Sequence, residues 1–212
     1  MTTTGTLEKN ITIAAKILSA VLHPLLIPLY GIAIIFSAPT LLGYLPFTVK
    51  RIIFTIIFIN NIIVPLSLLP YYKYRGLISS WVIVDRKERI IPLLASSFFY
   101  SVTVYIILKF HIPLFIKYYV ITIALLAIAI TLINFWWRIS IHSAGAGALI
   151  SLIAVLSVRM HTPLYWLLIS SIIAAGLIMS SRLWLNSHNP REVWLAFFLG
   201  SAGTSLILIF LG

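Results

Sequence analysis

The chain has 212 residues, of which 61% are hydrophobic and 9% are charged, and its mean hydropathy is +1.11. Soluble domains are about one quarter charged, so this composition excludes an ordinary soluble protein and predicts an all-α, polytopic membrane helix bundle. Cysteine is absent, which excludes disulfides and thiolate metal sites. The formal net charge of +11 comes from cations at the ends of apolar runs, a pattern typical of membrane flanks and lipid-phosphate contacts rather than of nucleic-acid binding.

Seven apolar runs predict a single integral-membrane domain over 1–212, since each run approaches the ~20 residues that a spanning helix needs. The first run holds two prolines, which predict a kink, and His23, whose expected partners are the carbonyls that the prolines free. In the second run, Asn60 and Asn61 are expected to hydrogen-bond across helices. After a polar lead over 1–16, the predicted spans are 17–37, 52–70, 90–108, 118–137, 140–158, 163–180 and 193–212.

The longest connection, 71–89, joins the second and third spans. The N-terminal part of the chain, 1–84, holds the first two spans and an interfacial loop. Its apolar centre, 76–84, is too short to cross a bilayer, so we expect it in the interface or as a re-entrant segment. Because an even number of crossings returns the chain to its starting side, the connections after the second, fourth and sixth of the seven spans lie on the N-terminal side of the membrane. Three polar clusters would therefore meet there: residues 85–89, Ser140 with His142, and the segment 182–192.

The segment between the last two spans is the longest polar interruption in the final third of the chain. Asn189 followed by Pro190 is a helix-start signal, and Glu192 completes a capping-box pattern with Asn189. His188 would then lie just outside the positive end of a helix dipole, where free N–H groups and Arg182 could hold an anion. The alternative is a plain helix cap beside an interfacial histidine.

These clusters resemble two motifs of the membrane-bound type 2 phosphatidic acid phosphatase superfamily, Ser-Arg-x5-His-x3-Asp and Pro-Ser-Gly-His. The run that begins at Ser181-Arg182 and continues to His188 and Glu192 matches the first of these in every spacing, with Glu in place of Asp. Residues 139–142, Ile-Ser-Ile-His, are similar to the second, although its Pro and Gly are missing.

A further motif of that family, Lys-x6-Arg-Pro, is poorly matched. Arg89 would be its arginine, but Pro92 follows three residues later and Val82 stands where the lysine belongs. The resemblance therefore covers about 85–200, which we define as the phosphatase-like motif region. Ile141, in place of the family's glycine, restricts the backbone at the point where an amide would approach phosphate.

The resemblance implies a role for each matched residue. His188 would attack phosphorus to form a phosphohistidine, Glu192 would hold the other ring N–H, and His142 would protonate the leaving group. The scheme requires no metal and no other cofactor. The residues expected to bind the phosphoryl oxygens are Arg182, Arg89, Ser140, Lys87 and Arg86.

Two other interpretations remain open. A catalytically inactive relative would use the same cations to bind lipid phosphates or to transport them. A metal site built from His142, His188 and Glu192 is less consistent with the sequence, because Arg182 beside it would repel a cation.

The expected substrate is a lipid phosphate, namely a phospholipid, a polyprenyl phosphate or diphosphate, or a lipid A phosphate, since little of the chain lies outside the bilayer. The oligomeric state is left open. Ten of the fifteen basic residues lie on the N-terminal side, which favours that side in the cytoplasm. The resemblance instead favours a periplasmic site in a bacterial inner membrane, and five of those ten cations could belong to the site: Arg86, Lys87, Arg89, Arg138 and Arg182.

Overall fold

The computed structural model describes residues 3–81, 83 and 85–211. It confirms the predicted helical bundle, because seven of its helical segments are long and apolar enough to cross a membrane. The start of the predicted lead, the position of Val82 and the end of the last predicted span at residue 212 lie outside the described residues. The segments are Thr6–Ser37, Phe47–Tyr74, Arg86–Leu108, Leu114–Trp136, Ile141–Arg159, Tyr165–Trp184 and Pro190–Phe210.

Two of these segments are interrupted, so they are divided into separate helices. The described α-helices are α1 (Thr3–Val21), α2 (Ile27–Ser37), α3 (Phe47–Phe58), α4 (Val64–Tyr74), α5 (Arg86–Leu108), α6 (Leu114–Trp136), α7 (Ile141–Arg159), α8 (Tyr165–Trp184) and α9 (Pro190–Phe210).

The first crossing is broken where the prolines predict a kink. Helix α1 ends at Val21, a 3₁₀ turn covers Pro24–Leu26, and α2 continues from there. The expected partner of His23 is wrong: its Nδ1 accepts a hydrogen bond from the backbone N–H of Leu25 at 3.3 Å, so the ring caps the 3₁₀ turn. The lead is also not a separate element, because α1 is helical from Thr3 onward.

The second crossing contains a π-helical turn, Ile59–Ile63, between α3 and α4. The backbone N–H of Val64 bonds back to Ile59, and Pro65 follows without an N–H of its own. Within this wide turn the buried Asn61 accepts a hydrogen bond from Thr103 of α5 at 2.7 Å. The predicted bond across helices is therefore confirmed for Asn61.

The connection between α4 and α5 folds over the end of the bundle and does not cross it. Both the backbone N–H and the hydroxyl of Ser79 donate to Glu88 Oε2, at 3.0 and 3.1 Å. The ammonium of Lys73 lies 4.8 Å from the centre of the Trp81 ring, and Ile78 is buried. These contacts tie the apolar stretch to the starts and ends of its neighbouring helices.

The closest helix pair is α7 with α9, and small residues make it possible. A Cβ on Gly147 would collide with the backbone carbonyl of Phe197, and a Cβ on Gly200 would collide with that of Ala144. Across the same contact, the hydroxyls of Ser151 and Ser201 lie 2.9 Å apart. The small residues of α7 thus serve close helix packing.

We expect Gly200→Ala to destabilise the bundle by about 1–3 kcal/mol, because the added methyl group forces two backbones apart. Thermal unfolding of the purified protein in detergent measures the effect. The matched control is Gly203→Ala, where an added Cβ meets no atom within 4 Å. Since alanine favours a helix over glycine, the control should be neutral or stabilising, and equal unfolding midpoints for the two variants would contradict the packing argument.

Candidate functional site

Five helix ends meet at one end of the bundle: the starts of α5, α7 and α9 and the ends of α6 and α8. Backbone contacts join them directly. The guanidinium of Arg86 donates to the carbonyls of Asn134 and Phe135 at the end of α6, and Asn134 donates back to the Arg86 carbonyl at 3.1 Å. The backbone N–H of Ser140 donates to the Glu192 carbonyl at 3.4 Å. The three polar clusters predicted to converge therefore lie together.

His188 and Glu192 form a buried pair at the start of α9. The Asn189 side chain caps the helix by accepting from the Glu192 N–H at 2.9 Å, as the capping-box pattern predicts. Its side-chain amide, in place of the backbone N–H that the pattern uses, donates to Glu192 Oε1 at 3.0 Å. The other carboxylate oxygen, Oε2, lies 2.6 Å from His188 Nδ1. Because an ionised carboxylate only accepts, the ring proton lies on Nδ1 and Nε2 keeps its lone pair.

Arg138 fixes this pair from the connection between α6 and α7. Its Nε lies 3.5 Å from Glu192 Oε2, and its guanidinium donates to the Ser187 carbonyl. Sequence reasoning counted Arg138 only among the cations of this face. Its position two residues before the N-cap Ser140 is the signal that could have identified it, since that places it beside the α9 start.

A cavity of about 890 Å³ opens beside the pair. Its polar end is lined by four of the predicted residues, and the remaining wall is mostly apolar. The guanidinium of Arg182 places a positive charge on this wall, which attracts an anion. The four predicted residues are Arg89, His142, Arg182 and His188.

Helix α1 supplies part of this polar end, which sequence reasoning missed. The Ser19 carbonyl lies 3.1 Å from His142 Nε2, and its hydroxyl accepts from Arg182 Nη1 at 3.3 Å. The His23 ring lies 5.6 Å from the His142 ring, edge to face. Residues 16, 19, 20 and 23 all line the cavity. Residues 16, 19 and 20 share one face of α1, a spacing that was readable in the sequence, whereas His23 follows the end of that helix.

Three predicted phosphate-binding residues lie away from the cavity wall. Arg86 is engaged at the end of α6, Lys87 is exposed to solvent, and Ser140 is fully buried as the N-cap of α7, where its hydroxyl oxygen accepts from Ser143. Arg89 lines the cavity while its Nε donates to the Ile83 carbonyl at 2.9 Å. The cavity therefore has two guanidinium groups, from Arg89 and Arg182.

The environment of His188 keeps its ring neutral. Burial first, and then the positive charges of three guanidinium groups, lower the pKa of His188 to about 3. These groups belong to Arg89, Arg138 and Arg182. A carboxylate partner alone would favour the protonated ring, so desolvation and the arginines outweigh Glu192. At neutral pH, Nε2 is an unprotonated nitrogen with its lone pair available.

The lowered pKa predicts a stability that depends on His188 and on pH. An unfolded histidine takes up a proton near pH 6.5, whereas His188 in the folded protein has a pKa of about 3. The contribution of the neutral His188 to the free energy of unfolding is therefore complete above about pH 6.5 and is lost as the pH falls toward 3. Between about pH 7 and pH 5 the wild type should lose roughly 2 kcal/mol more than His188→Gln, a variant that retains a donor for Glu192. Thermal unfolding at both pH values tests this, and equal losses would show that the buried ring does not stay neutral.

The described residues contain no group of three or more histidine, aspartate and glutamate side chains placed to hold a metal ion. No protein-family model, no curated protein and no solved structure matches this chain.

Proposed function

We propose that the protein is an integral-membrane lipid phosphate phosphatase that works through a phosphohistidine intermediate. The observation that supports this most directly is the neutral His188, held by Glu192 at the polar end of a cavity whose other walls are apolar. A phosphate group on an apolar chain has the same division into a charged end and a hydrocarbon body. The matched spacing of Ser181-Arg182, His188 and Glu192 points to the same chemistry.

In the first step, Nε2 of His188 attacks phosphorus, and the bond from phosphorus to the lipid oxygen breaks. The electron pair leaves with that oxygen, which takes a proton from the imidazolium form of His142, a second ring on the cavity wall. The imidazole of His188 becomes positively charged, and Glu192 stabilises this charge through the Nδ1–H bond. Arg89 and Arg182 bind the phosphoryl oxygens as charge develops on them.

In the second step, a water molecule attacks the phosphohistidine. His142 accepts a proton from this water, the bond between phosphorus and nitrogen breaks, and its electron pair returns to Nε2 of His188. Inorganic phosphate is released, and both rings regain their starting protonation. Arg138 acts through Glu192: by holding the carboxylate and the Ser187 carbonyl, it keeps His188 in the attacking orientation.

Phosphate release from lipid phosphates tests the proposal. The purified protein, with EDTA present, should release phosphate from at least one of phosphatidic acid, phosphatidylglycerol phosphate, undecaprenyl phosphate, undecaprenyl diphosphate and lipid A. His188→Ala should release none, because the nucleophile is gone. A substrate labelled at phosphorus should also leave acid-labile label on the wild type but not on that variant.

A matched pair of charge variants serves as the control. Arg182→Gln removes a cation from the cavity and should raise KM about tenfold or more, the value of a charge-assisted hydrogen bond. Lys87→Gln removes the same charge from an exposed position and should change KM less than twofold. If the folded wild type releases no phosphate yet binds these lipids, the protein is instead an inactive lipid-phosphate-binding relative or a transporter. In that case Ile141, and Arg89 with its Nε bound to the Ile83 carbonyl, do not support catalysis.

We place the site on the periplasmic face of a bacterial inner membrane. Five of the ten cations on this face are engaged within the bundle or line the cavity, namely Lys16, Arg86, Arg89, Arg138 and Arg182. They are therefore weak evidence for a cytoplasmic orientation, and the remaining five equal the five on the other face.

Single engineered cysteines test this orientation, because the chain has none of its own. In intact cells, a thiol reagent that does not cross the inner membrane should label Asn186→Cys on the site face and leave His111→Cys on the opposite face unlabelled. Both positions are exposed. The reverse labelling pattern would place the site in the cytoplasm.

A further inference from the structure

The cavity extends far along the helix axes from its polar end. On α9, Thr204 lines it fourteen residues after Pro190, which is about 21 Å at 1.5 Å per residue. On α7, the cavity is lined from His142 to Leu152, a rise of about 15 Å. On α6, Tyr119 lines it seventeen residues before the helix ends at Trp136, which is about 26 Å. Three helices therefore give a depth of about 15–26 Å.

This depth corresponds to one half or more of a bilayer's ~30 Å hydrocarbon core. The wall between the two ends is mostly apolar, with side chains such as Leu69, Leu93, Leu126, Ile130 and Leu149. Apolar cavities of this kind bind apolar ligands. The space is therefore suited to a hydrocarbon chain as long as one membrane leaflet is deep.

The deep end is closed by buried side chains. Tyr119, Leu152 and Thr204 line it there with relative exposures of 4%, 1% and 2%. The Tyr119 hydroxyl donates to the Pro28 carbonyl at 3.0 Å, which fixes the ring against α2. The Thr204 hydroxyl makes no hydrogen bond with any described residue, so replacing it breaks none. Packed interiors deform little, and such a floor sets a limit on length.

We propose that the cavity encloses the hydrocarbon chain of the lipid phosphate and that its floor, Tyr119, Leu152 and Thr204, selects substrates by chain length. This rests on the proposed function only in placing a phosphate at the polar end. A chain that reaches the floor fits completely. A longer chain must fold back or displace packed side chains, and a bulkier floor lowers the limit.

Binding of n-alkylphosphonates from octyl to octadecyl, each radiolabelled and measured directly in nanodiscs, tests the proposal without catalysis. Thr204→Phe should weaken octadecyl binding at least tenfold and leave octyl binding within twofold. Leu126 lies ten residues before the end of α6, about 15 Å from the polar end. The longest alkyl chain that Leu126→Phe still binds should therefore be shorter than the longest chain that Thr204→Phe binds.

The matched control is Ala202→Phe, which adds the same ring to the exposed side of α9 and should change binding at no length. A shorter maximum chain length for Leu126→Phe than for Thr204→Phe supports the proposed floor. A misfolded variant would instead lose binding of phosphonates of every chain length. Equal effects of Thr204→Phe and Leu126→Phe at every length, in folded protein, would overturn the proposal. Ordered cut-offs without phosphate release from any lipid would reject the proposed catalysis and retain the enclosed chain.

Discussion

The contact between α7 and α9 is the constraint on which the remaining arrangement depends. Gly147 and Gly200 allow two backbones to approach more closely than any side chain would permit. Only at this separation does the Ser140 N–H reach the Glu192 carbonyl, which ties the start of one helix to the start of the other. His142 lies in the first turn of α7 and His188 directly precedes α9, so the two rings line the same cavity.

Positive charges outnumber negative charges at this end of the bundle, and this excess makes the site suited to an anion. Glu192 is paired with His188 and with Arg138, while Arg89 and Arg182 bring two more positive groups to the same cavity. Cations at membrane depth are costly unless a partner compensates them. An anionic group would provide that compensation, and the same cations contribute to keeping the His188 ring uncharged.

The sequence predicted the features that depend on local pattern. Spans followed from apolar length, the helix start from Asn189, Pro190 and Glu192, and the convergence of clusters from the even number of crossings before each connection. It failed where distant contacts decide the outcome. His23 accepts a hydrogen bond from the backbone of its own 3₁₀ turn, and Arg86 donates to carbonyls at the end of α6. Ser19 contacts His142 on α7 and Arg182 on α8. Such partners are set by tertiary packing, which residue spacing along one helix does not encode.

The proposed site draws on both the first and the last helix of the described chain. Ser19 on α1 contacts His142 and Arg182, and the pair His188 and Glu192 stands at the entrance to α9. During synthesis at the membrane, α1 inserts early and α9 inserts after the other crossings. The nascent chain therefore holds Arg89, His142 and Arg182 before His188 and Glu192 are fixed. The complete set of site residues should assemble only after α9 has docked against α7.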